Sequence, residues 1–502
     1  MSFIEIENNA AIPMQQIPVL DYTGFYEEVG RLLHNEHCHC VNYYALPEQQ
    51  GLRLICCIAN DQAHSVGVAS SIISLTDKPV IKSLSQVHTS MHIFEREIHE
   101  RYGVGFEGHP WLKPVRFPFD RVDDVSKMAD YPFYGISSHE LHEVGVGPIH
   151  AGIIEPGHFR FICHGEKVLH LEIHLGYQHR GVEKLMLEKE NFLSASVLAE
   201  SIAGDTVVGH NSACCQVLEA LGGIPVTHNM QIARTVAAEL ERIAMHTADL
   251  SALCTDVAFQ LGSAVLQGLR TIIINTFMAW CGNRFARKLI RVGYEPYPVN
   301  KDIVAVILQN LDNYEKRYCE VVDKMFDMPS VLARFEQTGV VSEAQTRLIG
   351  AVGMAARTAG IPRDIRQSHP YSFYKNLNHK PVLLHSGDVK ARAKIRDLEI
   401  RQSLKYIREM LAHCNISGES NNPVPAYKLQ PSGFAISLTE GWRGEICHCA
   451  VTDNTGKLAH YKIKEASLHN WMALALAVRN NEISDFPVCN KSFNLSYCGY
   501  DL

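Results

Sequence analysis

Two charged residues set among glycine, proline and tryptophan are the first places where this sequence could carry chemistry. Glu155 lies in the glycine- and proline-rich run Gly147–His158, and Arg443 stands between a tryptophan and a glycine after the strand-like run Phe434–Leu438. A carboxylate in such a run can be a turn or cap group as well as a proton carrier. An inward guanidinium needs a partner or a cavity to face, because an unpaired buried charge is destabilising. The residues alone leave a structural and a functional role open for both side chains.

Other short patterns look like ligand sites but have simpler explanations. Gly103–Gly108 has the G-x-G-x-x-G spacing of dinucleotide sites, yet a charged helix precedes it where a strand is needed. In His37–Cys40 and Cys447–Cys449, histidines and cysteines alternate, so in a strand they face opposite sides and four ligands cannot converge. We therefore predict turns and strand edges at these places.

The composition is that of a globular chain of two or three domains. The chain has 502 residues, of which 46% are hydrophobic and 20% charged, with a net charge of −7. It has no tract rich in lysine and arginine, which argues against a nucleic-acid partner. The odd number of cysteines and the lack of an export signal lead us to expect reduced thiols in the cytoplasm. The apolar stretch Val257–Trp280 is interrupted by polar residues and is interpreted as a buried helix pair.

Three regions must position the candidate residues. Residues 1–120 are predicted to form a small α/β domain, with strands over 39–45 and 52–60 and a charged helix over 91–102. Residues 121–145 are polar and punctuated by proline, as in a linker.

The remainder, residues 146–502, is predicted to be mainly helical. Apolar residues recur at three- and four-residue spacing over 231–260, and similar patterns cover 303–326, 342–359 and 391–414. The end of the chain, 444–502, returns to strands and loops with one helix over 468–479. The predicted fold is thus α+β, a small α/β domain followed by a mainly α-helical one.

Several of these segments resemble a known pair of families. The run Phe94–Pro110, an acidic–Arg–acidic helix leading into a glycine and His-Pro turn, resembles the signature of the 30-kDa subunit of respiratory complex I. The later sequence resembles the 49-kDa subunit of complex I and, more closely, the large subunit of group 4 membrane-bound nickel–iron hydrogenases of the formate hydrogenlyase and hydrogenase-4 type. The matching segments are Gly147–Arg160, Leu175–Lys184, Gly282–Gly293, Gly353–Tyr371, Gly387–Ser403 and Glu440–Gly444. The chain is identified as a fused member of this family.

The resemblance locates two metal-ligand motifs, and this sequence lacks their cysteines. In hydrogenases of this group, two C-x-x-C motifs hold nickel and iron, because soft anionic thiolates can bridge two metals. The first motif puts its ligand positions at Ala203 and Thr206, and the second puts them at Ser496 and Gly499. No C-x-x-C occurs in the chain, so we expect no metal and no cofactor bound by this chain itself.

Other features of the family are kept. The resemblance implies that Glu155 stands where hydrogenases relay protons and that Arg443 stands where an arginine overhangs the metal. His210 is retained from the first motif. We expect a cavity lined by these three residues together with the four vacant ligand positions.

Quinone remains open as a ligand. Complex I binds the quinone headgroup with a histidine in the first loop and a tyrosine at the next motif, and here those positions hold Pro156 and Gly204. His150, His158 and Tyr497 would have to substitute as donors.

The resemblance implies a subunit of a membrane-associated complex. It would pair with a small subunit carrying an iron–sulfur cluster and dock on antiporter-like membrane subunits at the cytoplasmic face of the inner membrane. The cavity would couple redox chemistry to ion movement without bound metal. Two alternatives stay open: a non-catalytic scaffold for the cluster subunit, and a working hydrogenase with unusual ligands.

Overall fold

The computed structural model describes residues 2–49, 51–75, 78–150, 152, 154–414 and 427–502. Its strands are β1 (Ile4–Ile6), β2 (Ala11–Pro13), β3 (Val19–Leu20), β4 (Cys38–Glu48), β5 (Gly51–Asn60), β6 (Ser65–Ile73), β7 (Val80–Lys82), β8 (Gly105–Glu107), β9 (His142–Val146), β10 (His158–His164), β11 (Lys167–His174), β12 (Gly433–Glu440), β13 (Glu445–Thr452) and β14 (Leu458–Lys464). Its helices are α1 (Tyr22–Leu33), α2 (His92–Tyr102), α3 (Val182–Leu187), α4 (Phe192–Ala199), α5 (Val207–Gly222), α6 (His228–Asp256), α7 (Gln260–Cys281), α8 (Lys301–Asp327), α9 (Pro329–Phe335), α10 (Glu343–Ile349), α11 (Gly353–Arg357), α12 (Ile365–Ser368), α13 (Val389–Ala412), α14 (Ser467–Ala477) and α15 (Phe486–Phe493).

The N-terminal region is a sheet covered by two helices, which confirms the predicted α+β character. The strand order is β1-β6-β5-β4, with β3 parallel to β6. Phe25 and Val29 of α1 and Phe94 of α2 pack on the sheet in one apolar core. Of the glycines in the G-x-G-x-x-G pattern, Gly103 ends α2, Gly105 begins β8 and Gly108 follows β8, and no helix begins directly after them to hold a pyrophosphate.

The N-terminal segment also builds part of the C-terminal half. β2 pairs antiparallel with β12 and completes the four-stranded sheet β14-β13-β12-β2. Just before β2, the amide of Asn8 donates to the carbonyls of Leu438 and His369 at 2.9 and 2.8 Å, and its oxygen accepts the N–H of Leu438. The sheet of the C-terminal half therefore depends on the first residues of the chain.

Long helices form the centre of the C-terminal half. The apolar stripe predicted over 231–260 lies on α6, which packs against α7 and α13. α6 ends at Asp256 because Ala258 adopts the left-handed conformation, with φ of 60°. The interpretation of Val257–Trp280 as a helix pair was wrong, since most of it is the single helix α7. Among the described residues, α7 is the one helix long and apolar enough to cross a membrane, and 39% of its most apolar window is buried in the protein.

The helix predicted over 342–359 is broken into α10 and α11. Gly350 ends α10 in the left-handed conformation, with φ of 69°. Gly353 opens α11 where a Cβ would lie 2.1 Å from the carbonyl oxygen of Arg443. This close approach needs glycine, and it brings α11 against the turn that carries Arg443.

Candidate functional site

Three separate turns meet around a cavity of about 420 Å³. The first turn joins α4 to α5 and contains Ala203. The second follows α15, where Asn494 is left-handed with φ of 46°, and contains Ser496. The third joins β12 to β13 and contains Arg443.

The structure brings four of the predicted site residues to this cavity. Its lining includes Glu155, Ala203, Arg443 and Ser496. Glu155 is exposed, on the loop between β9 and β10. Thr206 is buried behind them, where its hydroxyl accepts a hydrogen bond from Arg443 at 3.4 Å.

The predicted histidines lie outside the cavity lining. The ring of His150 packs 5.7 Å from that of Phe159, and the ring of His158 packs 4.8 Å from that of Phe133. His210 is fully buried in α5, and Nδ1 lies 3.1 Å from Nε2 of His448. Burial lowers the pKa of His210 to about 3, so it is neutral at pH 7.

Gly499 is also buried outside the lining, and its carbonyl accepts a hydrogen bond from Arg116 at 2.9 Å.

Arg443 joins the first turn to the second. Its two terminal nitrogens donate to the two carboxylate oxygens of Asp205 at 2.8 and 2.7 Å, and Nε donates to the carbonyl of Asn494 at 2.5 Å. The guanidinium also stacks on Trp442, 3.9 Å from its ring centre. Burial opposes ionisation of Asp205, but the charge and hydrogen bonds of Arg443 outweigh it and lower the pKa of this carboxyl. An arginine–carboxylate pair therefore joins the two turns that carry the predicted ligand positions Ala203 and Ser496.

Glu465 is a buried carboxyl that the sequence did not single out. It is 1% exposed and accepts hydrogen bonds from the backbone N–H and hydroxyl of Ser467 at 2.6 and 3.2 Å. The same hydroxyl accepts the N–H of Ser496 at 2.9 Å, which ties Glu465 to the second turn. Burial raises the pKa of Glu465 to about 7, against the lowering effect of the nearby Arg443. Glu465 can therefore gain or lose a proton near neutral pH.

Two further carboxyls near the turns have raised pKa values. Asp501 lines the cavity, and burial raises its pKa to about 6. Glu241 accepts the N–H groups of Val208 and Gly209 at the start of α5, at 2.8 and 3.3 Å, and burial raises its pKa to about 8. The site thus collects carboxyls that exchange protons within the physiological range.

The residues present do not fit a nickel–iron centre. A methyl group, two hydroxyls and a glycine stand at the four positions where the resemblance predicts the ligands. Cys498 supplies the one thiol in the lining, and burial together with the charge of Glu465 raises its pKa well above the usual range. A Cβ at Gly499 would lie 3.3 Å from Cβ of Glu465, so a ligand side chain there would be crowded. Among the described residues, no group of three or more His, Cys, Asp or Glu side chains is arranged to hold a metal ion.

A second set of charges lies deeper, beside the turn that carries Arg443. We call it the arginine cluster, and its members are Arg242, Arg357, Arg366, Glu239, Asp364, Glu399 and Glu440. Glu399 accepts from Arg357 at 2.5 Å and from Arg366 at 3.2 Å. Arg242 donates to the carbonyl of Glu440 at 2.9 Å, which fixes the end of β12 just before Trp442 and Arg443.

Comparison with known proteins identifies both halves of the chain. Residues 24–127 match the family described as the 30 Kd subunit of respiratory-chain NADH dehydrogenase. Residues 256–431 match the family described as the 49 Kd subunit of the same enzyme.

Two relatives carry the names of a hydrogenase and of a formate hydrogenlyase subunit. The carbon monoxide-induced hydrogenase of Rhodospirillum rubrum is 30% identical over 354 residues, which are 70% of this chain and 97% of that protein. Formate hydrogenlyase subunit 5 of Escherichia coli is 27% identical over an alignment of 424 positions, which covers 80% of this chain and 74% of that protein.

A solved structure has the same fold. It is the membrane-bound sulfane sulfur reductase, described as an archaeal respiratory membrane complex, and one of its chains aligns with a TM-score of 0.67 at 21% identity. The alignment covers 74% of this chain and 100% of that chain.

Proposed function

The chain belongs to the family of large subunits that membrane-bound hydrogenases share with respiratory NADH dehydrogenase, and from this premise we propose that it serves a membrane-associated electron-transfer complex without nickel and iron at the ancestral site. In this role it couples redox chemistry at a neighbouring iron–sulfur subunit to ion translocation. The hydrogenase and respiratory names of its relatives support this class of complex.

The observation that carries the metal-free state is the Arg443–Asp205 pair between the two vacant motifs. A soft bimetallic centre needs several thiolates, and the single thiol here, Cys498, is held protonated by burial and by Glu465. The cavity instead presents a guanidinium that is already satisfied by a bidentate carboxylate.

Proton handling is the chemistry that the remaining groups support. Glu465 contacts the second turn through Ser467 and lies in the field of Arg443, and Asp501 and Glu155 face the cavity. Because the pKa of Glu465 is about 7, a change of charge in the cavity would change its proton occupancy. A partner that delivers electrons near the cavity would in this way move a proton without a metal.

The proposed partners follow from the family. They are a small subunit carrying an iron–sulfur cluster and antiporter-like membrane subunits, with this chain peripheral on the cytoplasmic face. Quinone or another electron carrier is the proposed occupant of the cavity, since its lining offers hydrogen-bond donors such as Tyr497 and Lys491.

Metal analysis tests the central claim. The complex is purified with its partners, and nickel and iron are measured per copy of this chain by mass spectrometry. We expect iron from the cluster subunit and no stoichiometric nickel. One nickel per chain, or hydrogen uptake with a dye acceptor, would support a working hydrogenase and overturn the proposal.

A pair of variants separates a working cavity from a scaffold. Glu465→Gln keeps the shape of the side chain but cannot release a proton, so we expect the complex to assemble and its redox-driven ion transport to fall. Glu166→Gln, on the exposed turn between β10 and β11, is the matched control and should change neither. Unchanged transport in Glu465→Gln, and also in Glu155→Gln and Arg443→Met, would favour a scaffold.

A further inference from the structure

A larger cavity lies between the N-terminal region and the C-terminal half, and it shares no lining residue with the cavity described above. Its volume is about 590 Å³, which is within the range of small-molecule sites. α2 and the segment after β8 form one side, and β11 with α14 forms the other. Both halves of the fused chain are needed to enclose it.

Aromatic rings dominate the walls. Trp111 and Trp471 line the cavity together with Tyr134 and Tyr500, and Met472 lies among them. Two of the four tryptophans in the chain are therefore in this one place. Flat ring surfaces of this kind stack well on a planar ligand.

The lining carries an excess of positive charge. Its cations are Arg96, Lys113 and Arg479, and its one carboxylate is Glu172. Glu172 is already engaged by Lys113 at 2.6 Å and by the N–H of Tyr134 at 2.7 Å. Burial lowers the pKa values of the lining residues His92 and His170, which leaves both neutral at pH 7, so the net charge of the lining is +2.

Arg96 is the most informative of these cations. It is 4% exposed, donates to the carbonyls of Lys113 and Pro114 at 2.7 Å each, and stacks 4.5 Å from the ring centre of Trp111. Arg96 forms no salt bridge with any carboxylate in the described part of the chain. A buried guanidinium without an anion is destabilising, so this position favours an anionic partner.

His92 supplies a second unsatisfied group. Its side chain is 5% exposed, lines the cavity and stacks on Trp111, and Nδ1 has no hydrogen-bond partner in the described part of the chain. Buried polar atoms are rarely left without a partner unless a ligand or water completes them.

We propose that this cavity binds an organic anion with a planar aromatic ring. The ring packs beside Trp471 and Tyr500, and the anionic group pairs with Arg96 and Arg479. The cavity also adjoins the site, since the indole N–H of Trp471 donates to the carbonyl of Ser496 at 3.0 Å and its ring lies 5.0 Å from that of Tyr497. A bound anion would therefore rest against the back of the second turn.

The test uses anilinonaphthalene sulfonate, an aromatic anion whose fluorescence accepts energy from nearby tryptophans. The full-length protein is titrated with this probe, and we expect one saturable site per chain with energy transfer from tryptophan. Removing one charge partner, in Arg479→Gln or Arg96→Met, should weaken binding about tenfold. Arg479 is exposed, so Arg479→Gln remains informative if Arg96→Met does not fold.

A substitution that fills the cavity with a larger side chain can be compared with the same substitution in another cavity. Ala475 lines this cavity on α14, and Ala475→Leu should abolish probe binding. Ala220 lines a different cavity beside α5, and Ala220→Leu is the matched control that should leave binding unchanged. Equal effects of the two variants, or no effect of Ala475→Leu, would overturn the proposal.

Two further measurements identify the occupant. Displacement of the probe by ADP would assign a nucleotide as the ligand class, and displacement by naphthoate alone would assign an aromatic carboxylate. If the isolated chain binds the probe but the assembled complex does not, a partner-protein segment fills the cavity and the small-molecule proposal fails.

Discussion

The cavity and the arginine cluster are neighbours built from the same kinds of residue, but they differ in their access to water. In the cluster, Arg357, Arg366 and Glu399 are all fully buried and hydrogen-bonded to one another. At the cavity, Arg443 is buried while the side chain of its partner Asp205 is 38% exposed.

This difference in access to water distinguishes carboxylates that stay ionised, such as Glu399, from carboxyls that can change their protonation state, such as Glu465. Burial raises and the surrounding arginines lower the pKa of Glu399, and the arginines prevail, so this carboxylate stays ionised. Glu465 has one nearby cation, Arg443, and otherwise neutral hydrogen-bond donors, so burial prevails and its pKa rises to about 7. In the arginine cluster, each carboxylate is paired with arginines and stabilises the fold. Glu465, which has fewer cations around it, can titrate near neutral pH.

Removing a carboxylate from the cluster should have the largest effect. Glu399→Gln leaves Arg357 and Arg366 short of a buried anion, so we expect the free energy of unfolding to fall by about 3–5 kcal/mol. Urea denaturation followed by circular dichroism measures it. A loss below about 1 kcal/mol would mean that the cluster is not the structural element described here.

Glu465 should make stability depend on pH in a way that the cluster does not. Its folded pKa of about 7 lies above the ordinary value of 4.5, so between these pH values the folded protein holds a proton that the unfolded chain has released. Stability therefore falls as pH rises through this window, by on the order of 3 kcal/mol in total from this group. Glu465→Gln should lose this component, seen as a pH-dependent difference from the parent protein that vanishes below about pH 4.5. A constant difference between pH 4.5 and pH 8 would contradict the assignment.

The two partners of the cavity ion pair should not be equivalent. Asp205→Asn leaves the buried Arg443 without its carboxylate partner, so we expect the free energy of unfolding to fall by about 1–3 kcal/mol. In Arg443→Met the loss of the ion pair should lower the free energy of unfolding by less, because water can solvate the carboxylate of Asp205 that is left without its partner. Asp205→Asn should also lower the pKa of Glu465, since it removes a nearby anion and frees the charge of Arg443.

Infrared titration of the Glu465 carboxyl, identified by its loss in Glu465→Gln, measures this shift. An unchanged or higher pKa in Asp205→Asn would show that the two turns are not electrostatically linked.

A surface pair should show the smallest effect and serves as the reference. Arg408 donates to Asp312 and Glu315 at 2.9 and 2.7 Å, but the side chain of Asp312 is 72% exposed. Arg408→Gln should cost less than about 1 kcal/mol because water already screens the pair. Urea denaturation measures this loss too. If Arg408→Gln lowered the free energy of unfolding as much as Glu399→Gln does, buried and exposed ion pairs would not differ in their contribution to stability.

Local pattern was enough to predict much of the fold. The alternation and the apolar stripe anticipated β4, β5, α2, α6, α8 and α13 to within a few residues. Two helix ends were missed where one residue changes the backbone direction, at Ala258 after α6 and at Gly350 after α10. A left-handed residue ends a helix without altering the apolar period around it, so the pattern alone does not show the break.

The candidate site was predicted less completely. Spacing and resemblance pointed to Glu155, Ala203, Ser496 and Arg443, which the fold brings to one cavity. The partner of Arg443 was missed because Asp205 is 238 positions away in the sequence. Glu465 gave no signal either, since its pKa depends on burial and on residues from other turns.

The pairing of β2 with β12 has a consequence for how the two halves can be separated. All eight residues of β12 are buried, and β2 pairs with the first three of them on the side that would otherwise be the rim of the sheet. A fragment starting at residue 146 would expose that row of unpaired N–H and C=O groups, which is a template for self-association. Pairing with the N-terminal segment therefore covers this edge of the sheet in the C-terminal half, and we expect the intact chain to self-associate less than such a fragment.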